Sequence, residues 1–90
     1  MKKTKTRILG EWVTIEYVKD LADEEGNKVW GLCNADTRTI SLNADMEPAL
    51  MERTLKHEKT HMILRLSGLF ELISIEVEEA LATLMEIHIK

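Results

Sequence analysis

Residues 45–68 read DMEPALMERTLKHEKTHMILRLSG, and this stretch decides how the rest of the chain is organised. Asp45 is a helix N-cap type, Glu47 and Pro48 suit a first helical turn, and Gly68 suits the left-handed residue that stops a helix. The spacing therefore predicts a helix from about Met46 to Leu66. Leu55, Met62, Ile63, Leu64 and Leu66 make at least one of its faces apolar, so it should lie against a core. Within it stands His57-Glu58-Lys59-Thr60-His61, an HExxH pattern. Histidines four apart on a helix share one face about 6 Å apart along the axis, so both imidazoles can bind one Zn²⁺. The Glu between them lies within reach of a water held there.

Upstream, residues 8 to 18 alternate, with Val13, Ile15 and Tyr17 to one side and Thr14 and Glu16 to the other, as in a half-buried strand. The acidic segment Asp20 to Asn27 ends in Gly26-Asn27 and reads as a loop. A second strand is expected at Lys28 to Cys33. Asn34-Ala35-Asp36 is a short turn, and a third strand follows at Thr37 to Asn43, with Ile40 and Leu42 on its core face. Past Gly68, Leu69 to Ile73 is a connection or the start of a last helix that runs to about Ile87. Val77, Ala80, Leu81 and Leu84 form the expected apolar stripe of that helix. The expected fold class is α+β: a small three-stranded antiparallel sheet followed by two helices packed on one face, as a single domain over residues 1–90.

Ninety residues allow one small core, which must be mostly aliphatic because the chain has two Trp, one Tyr and one Phe. The net charge of −4 gives no sign of a nucleic-acid partner. Lys2, Lys3, Lys5 and Arg7 read as a solvated terminus. No stretch is apolar enough for a signal peptide or a membrane span. The one cysteine, Cys33, cannot form an internal disulfide and sits among strand residues as a small packing side chain. A cytoplasmic protein with no membrane partner is the expectation. Oligomeric state is not legible.

A catalytic zinc takes three protein ligands and keeps one position for water. His57 and His61 supply two. The last helix offers Glu76, Glu78 and Glu79, and His88 near its end; helical geometry does not choose among the three carboxylates. A run of Glu on such a helix is ordinarily a solvated face.

Thr54-Leu55-Lys56-His57-Glu58-Lys59-Thr60-His61 resembles the active-site helix of zincin metallopeptidases. Glu79-Ala80-Leu81-Ala82 is similar to the ExxA pattern of small ImmA/IrrE-type proteins of phages and bacteria. Gly31-Leu32-Cys33 and Arg38-Thr39-Ile40-Ser41-Leu42 are similar to the strands that lead into that family's zinc helix. The resemblance covers about residues 28 to 87. It implies Glu79 as the third zinc ligand, of gluzincin type. Thr83 stands where the family usually has Asn. It also stands where thermolysin-like members place an Asp that supports a histidine, so that support is missing or comes from elsewhere.

The resemblance implies a zinc-dependent metallopeptidase acting on a peptide or protein, with Glu58 as general base. Substrate would lie extended along the edge strand above the zinc helix, here Thr37 to Asn43. Tyr17 and His88 are the obvious candidates for an oxyanion donor. The alternative is a non-catalytic, zinc-stabilised phage or bacterial interaction module. A metal-free α+β binding domain would require the HExxH to be accidental.

Overall fold

The computed structural model describes residues 2–88, the side chain of His88 excepted. Four strands, β1 (Lys2–Ile8), β2 (Glu11–Val18), β3 (Gly31–Asn34) and β4 (Thr39–Asn43), precede helix α1 (Pro48–Ser67), a 3₁₀ turn (Leu69–Leu72) and helix α2 (Ile75–His88). The fold is α+β, as expected, but the sheet is four-stranded and mixed, with the order β1-β2-β4-β3.

Both departures have a local cause. The basic terminus is a strand, paired antiparallel with β2 from Lys2↔Tyr17 to Ile8↔Glu11. Its residues are exposed except for Thr6 and Ile8, so it carries no apolar alternation. The turn that joins it to β2 is Leu9-Gly10, with φ of 51° and 78°. Positive φ at both central residues is the geometry of a tight hairpin, ordinarily signalled by Asn-Gly rather than Leu-Gly. Lysines along this edge suit a strand that must not pair with another chain.

The second departure is direction. β4 runs parallel to β2, Thr14↔Thr39 through Val18↔Asn43, and antiparallel to β3 on its other side. Ile40 and Leu42 are fully buried, so β4 takes the central place where both its edges are covered. The intervening residues 19–38 are long enough to let the chain pass to the far side and return. β4 is therefore an interior strand, and β3 is the edge beside α1.

The core forms where β2 and β4 meet α1: Val13, Ile15, Ile40, Leu42 and Met62, with Ile8 and Met46 at its margin. Burying each large aliphatic contributes about 1.5–3 kcal/mol. α1 covers the sheet, touching β3, β4 and β1, and α2 packs against α1. α1 begins at Pro48, whose missing N–H and fixed φ suit the first helical position; Glu47, not Asp45, is the N-cap residue, without a side-chain cap bond. Gly68 closes the helix as expected, at φ 81°.

α2 is turned differently from the expectation. Its apolar stripe does not face inward: Val77, Leu84 and Ile87 are exposed, as is Ala80, and Leu81 is only partly buried. The face set against α1 instead presents Glu78, Ala82 and Glu86, with Ala82 completely buried. No described helix is long and apolar enough to cross a membrane.

Candidate metal centre

Arg53, His57, His61 and Arg65 recur every four residues and form one ridge of α1. Glu78, Ala82 and Glu86 make the matching ridge of α2. The helices run past one another so that Glu86 meets Arg53 and His57, while Glu78 meets His61 and Arg65. Ala82 lets the backbones approach between those two groups.

The separations constrain the two ring tautomers. His57 Nδ1 lies 2.8 Å from Glu86 Oε2, and His61 Nδ1 lies 2.5 Å from Glu78 Oε2. A carboxylate only accepts, so each Nδ1 that faces one donates; on the other side of the rings, a metal would take the Nε2 lone pairs, and without a metal the approach of Glu79 Oε1 to His61 Nε2 calls for a proton there. Those two Nε2 atoms converge, 3.2 Å apart. Glu79 Oε1 completes the group, 2.8 Å from His61 Nε2 and 3.5 Å from His57 Nε2.

Three such atoms cannot all be bare acceptors this close together: either a proton or a metal ion stands among them. The dimensions suit one: metal–ligand bonds of about 2.0–2.1 Å at tetrahedral angles place neighbouring donor atoms about 3.3–3.4 Å apart. His57, His61 and Glu79 can hold a metal ion, and two nitrogens plus one carboxylate oxygen is a donor set that zinc accepts.

Glu58 stands beside this group but does not join it. It is only 8% exposed, and its carboxylate, which makes no hydrogen bond among the described residues, opens onto the groove and is not sealed in the core. Burial pushes its carboxyl above the usual range, partly opposed by His61 and then His57. Room for it comes from Gly31 on β3: a Cβ there would stand 2.9 Å from Glu58 Cγ and from Thr54 Cγ2.

The site opens into a groove of about 880 Å³ bounded by β3, the loop at Asp23 to Glu25, α1 and the start of α2. Cys33 lines the groove as well, and burial pushes its thiol up to about 12, so it stays protonated.

The structure thus brings His57, Glu58, His61 and Glu79 together. Glu76 is exposed and makes no contact with them, and Glu78, read as solvated, is 4% exposed behind His61. Its burial follows from its three partners, the His61 ring and two nitrogens of Arg65. Glu86, seven residues beyond Glu79 on the same side of α2, stands in no motif that would single it out in the sequence. The histidine support missing at Thr83 comes from Glu78 and Glu86. Tyr17 lines a separate hollow with Lys2 and Met51, so it is no oxyanion donor to this site. His88's side chain lies outside the described residues. Thr37 to Asn43 does not supply the strand at the groove; β3 does.

No family model, curated protein or solved structure matches the chain.

Proposed function

We propose that the protein is a zinc-dependent peptidase, with His57, His61 and Glu79 as the metal ligands and Glu58 as the general base. One observation carries the reading: a largely buried glutamate that opens onto a groove lies beside the three side chains that can hold a metal ion. When bound, Zn²⁺ acidifies a water and polarises a carbonyl oxygen. Glu58 takes the proton of the attacking water at its carboxylate and returns it to the departing amine. Glu86 and Glu78 hold the two imidazoles in the tautomer that turns Nε2 to the site. The free edge of β3 receives the substrate as an added strand, in an extended conformation.

A second reading has its own support. The ladder between α1 and α2 joins Arg53, His57, His61 and Arg65 to glutamates of α2, so a metal there would staple the two helices. On that reading the protein is a zinc-stabilised phage or bacterial interaction module. Glu58 favours catalysis, because a structural staple has no use for a carboxylate that takes no metal and opens onto the groove beside it.

Glu58→Gln separates the two. Loss of peptide hydrolysis with one zinc still bound per chain is the expected result. A parent protein that holds zinc yet cleaves no peptide would leave the staple. Loss of metal from Glu58→Gln would make Glu58 a ligand and overturn the assignment of roles.

A further inference from the structure

The groove that contains the candidate centre is acidic on both sides of β3. Asp23, Glu24 and Glu25 stand on the loop before β3, and Asp36 stands on the turn after it. None of these four makes an ion pair among the described residues. Arg65 is the one Lys or Arg among the described groove-lining residues, and it is committed to Glu78 and stacked on Phe70. The four carboxylates beside β3 therefore carry negative charge that no ion pair of their own offsets, and the concave shape of the groove concentrates that field.

The backbone beside the rim is also open. Asn43 N–H donates to Trp30 C=O at 2.8 Å, which sets the phase of the β3–β4 ladder. In an antiparallel pair the direction alternates, so Trp30, Leu32 and Asn34 turn their N–H and C=O groups to β4, and Gly31 and Cys33 turn theirs to the free edge. Glu58 lies over that edge: its Oε2 is 3.0 Å from where a Gly31 Cβ would be. Nine-tenths buried as a residue, it makes no hydrogen bond among the described residues and opens its carboxylate onto the groove alone, where a ligand that brings a donor would meet it.

We infer that the groove takes an extended peptide bearing Lys or Arg on the residues around the scissile bond, its backbone paired to Gly31 and Cys33 and its cationic side chains met by Asp23, Glu24, Glu25 and Asp36. This rests on the peptidase reading for the cleavage and on the free edge and the rim for the binding. An acidic peptide would set like charges against the same rim, and that repulsion selects as strongly as the attraction.

The test compares two dye-labelled ten-residue peptides of equal length and apolar content, one with Lys and Arg flanking a central apolar pair, the other with Glu and Asp. Binding to zinc-loaded Glu58→Gln protein is read by fluorescence polarisation at low and high salt, and cleavage by the zinc-loaded parent is read by chromatography. Exposed charge contacts are worth about two- to five-fold each, so several together give the basic peptide an advantage of at least about ten-fold at low salt, shrinking as salt rises. The triple variant Glu24→Gln/Glu25→Gln/Asp36→Asn should lose most of that advantage while its zinc affinity and Tm stay unchanged. Equal binding of both peptides, a preference for the acidic one, or a preference that survives the rim substitutions would overturn the inference and leave the peptidase reading standing. Preferred binding of the basic peptide without cleavage would uphold the inference and remove the peptidase reading. If neither peptide binds or is cleaved, both fall.

Discussion

Gly31→Ala places one methyl group where the structure has room for none. The added Cβ would stand 2.9 Å from Thr54 Cγ2, 2.9 Å from Glu58 Cγ and 3.0 Å from Glu58 Oε2. Carbon atoms make their best contacts at about 3.5–4.0 Å, so something must move by roughly half an ångström. Thr54 is β-branched and stiff in a helix, and Cγ of Glu58 is not the free end of a side chain, so neither yields without shifting α1. Overpacking of this kind costs about 1–3 kcal/mol. Gly31 is not a positive-φ residue, so alanine carries no backbone strain there and recovers about 0.4–1 kcal/mol through the unfolded chain. The net expectation is a loss of about 1–2 kcal/mol, or about 4–16 °C in Tm for a domain of this size. Urea denaturation of the metal-free protein measures it, in a double-mutant cycle with Thr54→Ser, which deletes Cγ2 and keeps the hydroxyl. The two substitutions should couple by at least about 0.5 kcal/mol, the double variant being less damaged than the sum. With zinc bound, Gly31→Ala should also slow hydrolysis on the order of ten-fold by displacing Glu58. A variant as stable as the parent, or two costs that simply add, would refute the argument that this glycine exists to admit the Glu58 side chain.

Zinc affinity, followed by competition with a chelator, should fall most in Glu79→Ala, by about 10–100-fold in Glu78→Ala and Glu86→Ala through loss of the histidine supports, and little in Glu76→Ala; parent-like affinity in Glu78→Ala would show that its contact does not orient His61. In the metal-free protein Glu58→Gln should raise Tm at pH 7. Burial raises the Glu58 carboxyl, so the folded state binds that proton more tightly than the unfolded state and loses stability as pH rises past the ordinary carboxyl range. The gain should therefore fade as pH is lowered toward 4, and a gain that does not change with pH would point to packing instead. Cys33, its thiol pushed up to about 12, should alkylate with iodoacetamide at pH 8 at least about ten-fold more slowly than a free thiol. Amide exchange should show α2 opening more readily than α1 without zinc and slowing when zinc is added; identical exchange in both states would mean that the metal does not hold α2.

The parts of the fold that could be read from sequence are those where one local signal dominates. Pro48 and Gly68 bracket α1 because each meets a backbone requirement that few residues meet. Val13 and Ile15 marked β2 by alternation, and Ile40 and Leu42 marked β4. β1 escaped because its pairing depends on a Leu-Gly hairpin and on β2, not on an apolar face of its own. The parallel β2–β4 pair escaped because hydrophobic alternation records which face is buried and not which neighbour a strand takes; β4 is central because Ile40 and Leu42 demand cover. At the site, His57, Glu58 and His61 announce themselves by spacing within five residues. Glu79 was reached through a resemblance. Glu78 and Glu86 were hidden because a carboxylate's partner lies on another helix.

That last point explains the orientation of α2. On hydropathy alone, Val77, Leu84 and Ile87 should turn inward, each gaining about 1.5–3 kcal/mol on full burial. They face solvent, and the inward ridge carries two carboxylates whose desolvation is costly unless each is paired. The pairing is there: each glutamate meets one histidine and one arginine of the four-residue ridge on α1. Pairing of this kind offsets desolvation without exceeding it by much, so it leaves the lost apolar burial unexplained. On the proposed zinc reading, His57, His61 and Glu79 supply the missing contribution, because they can bind a divalent cation together only when α2 is turned this way. Zinc held by protein ligands contributes on the order of 10 kcal/mol, enough to outweigh three exposed aliphatic side chains. On that reading, the helix that looks wrongly turned for a hydrophobic core is correctly turned for the proposed metal.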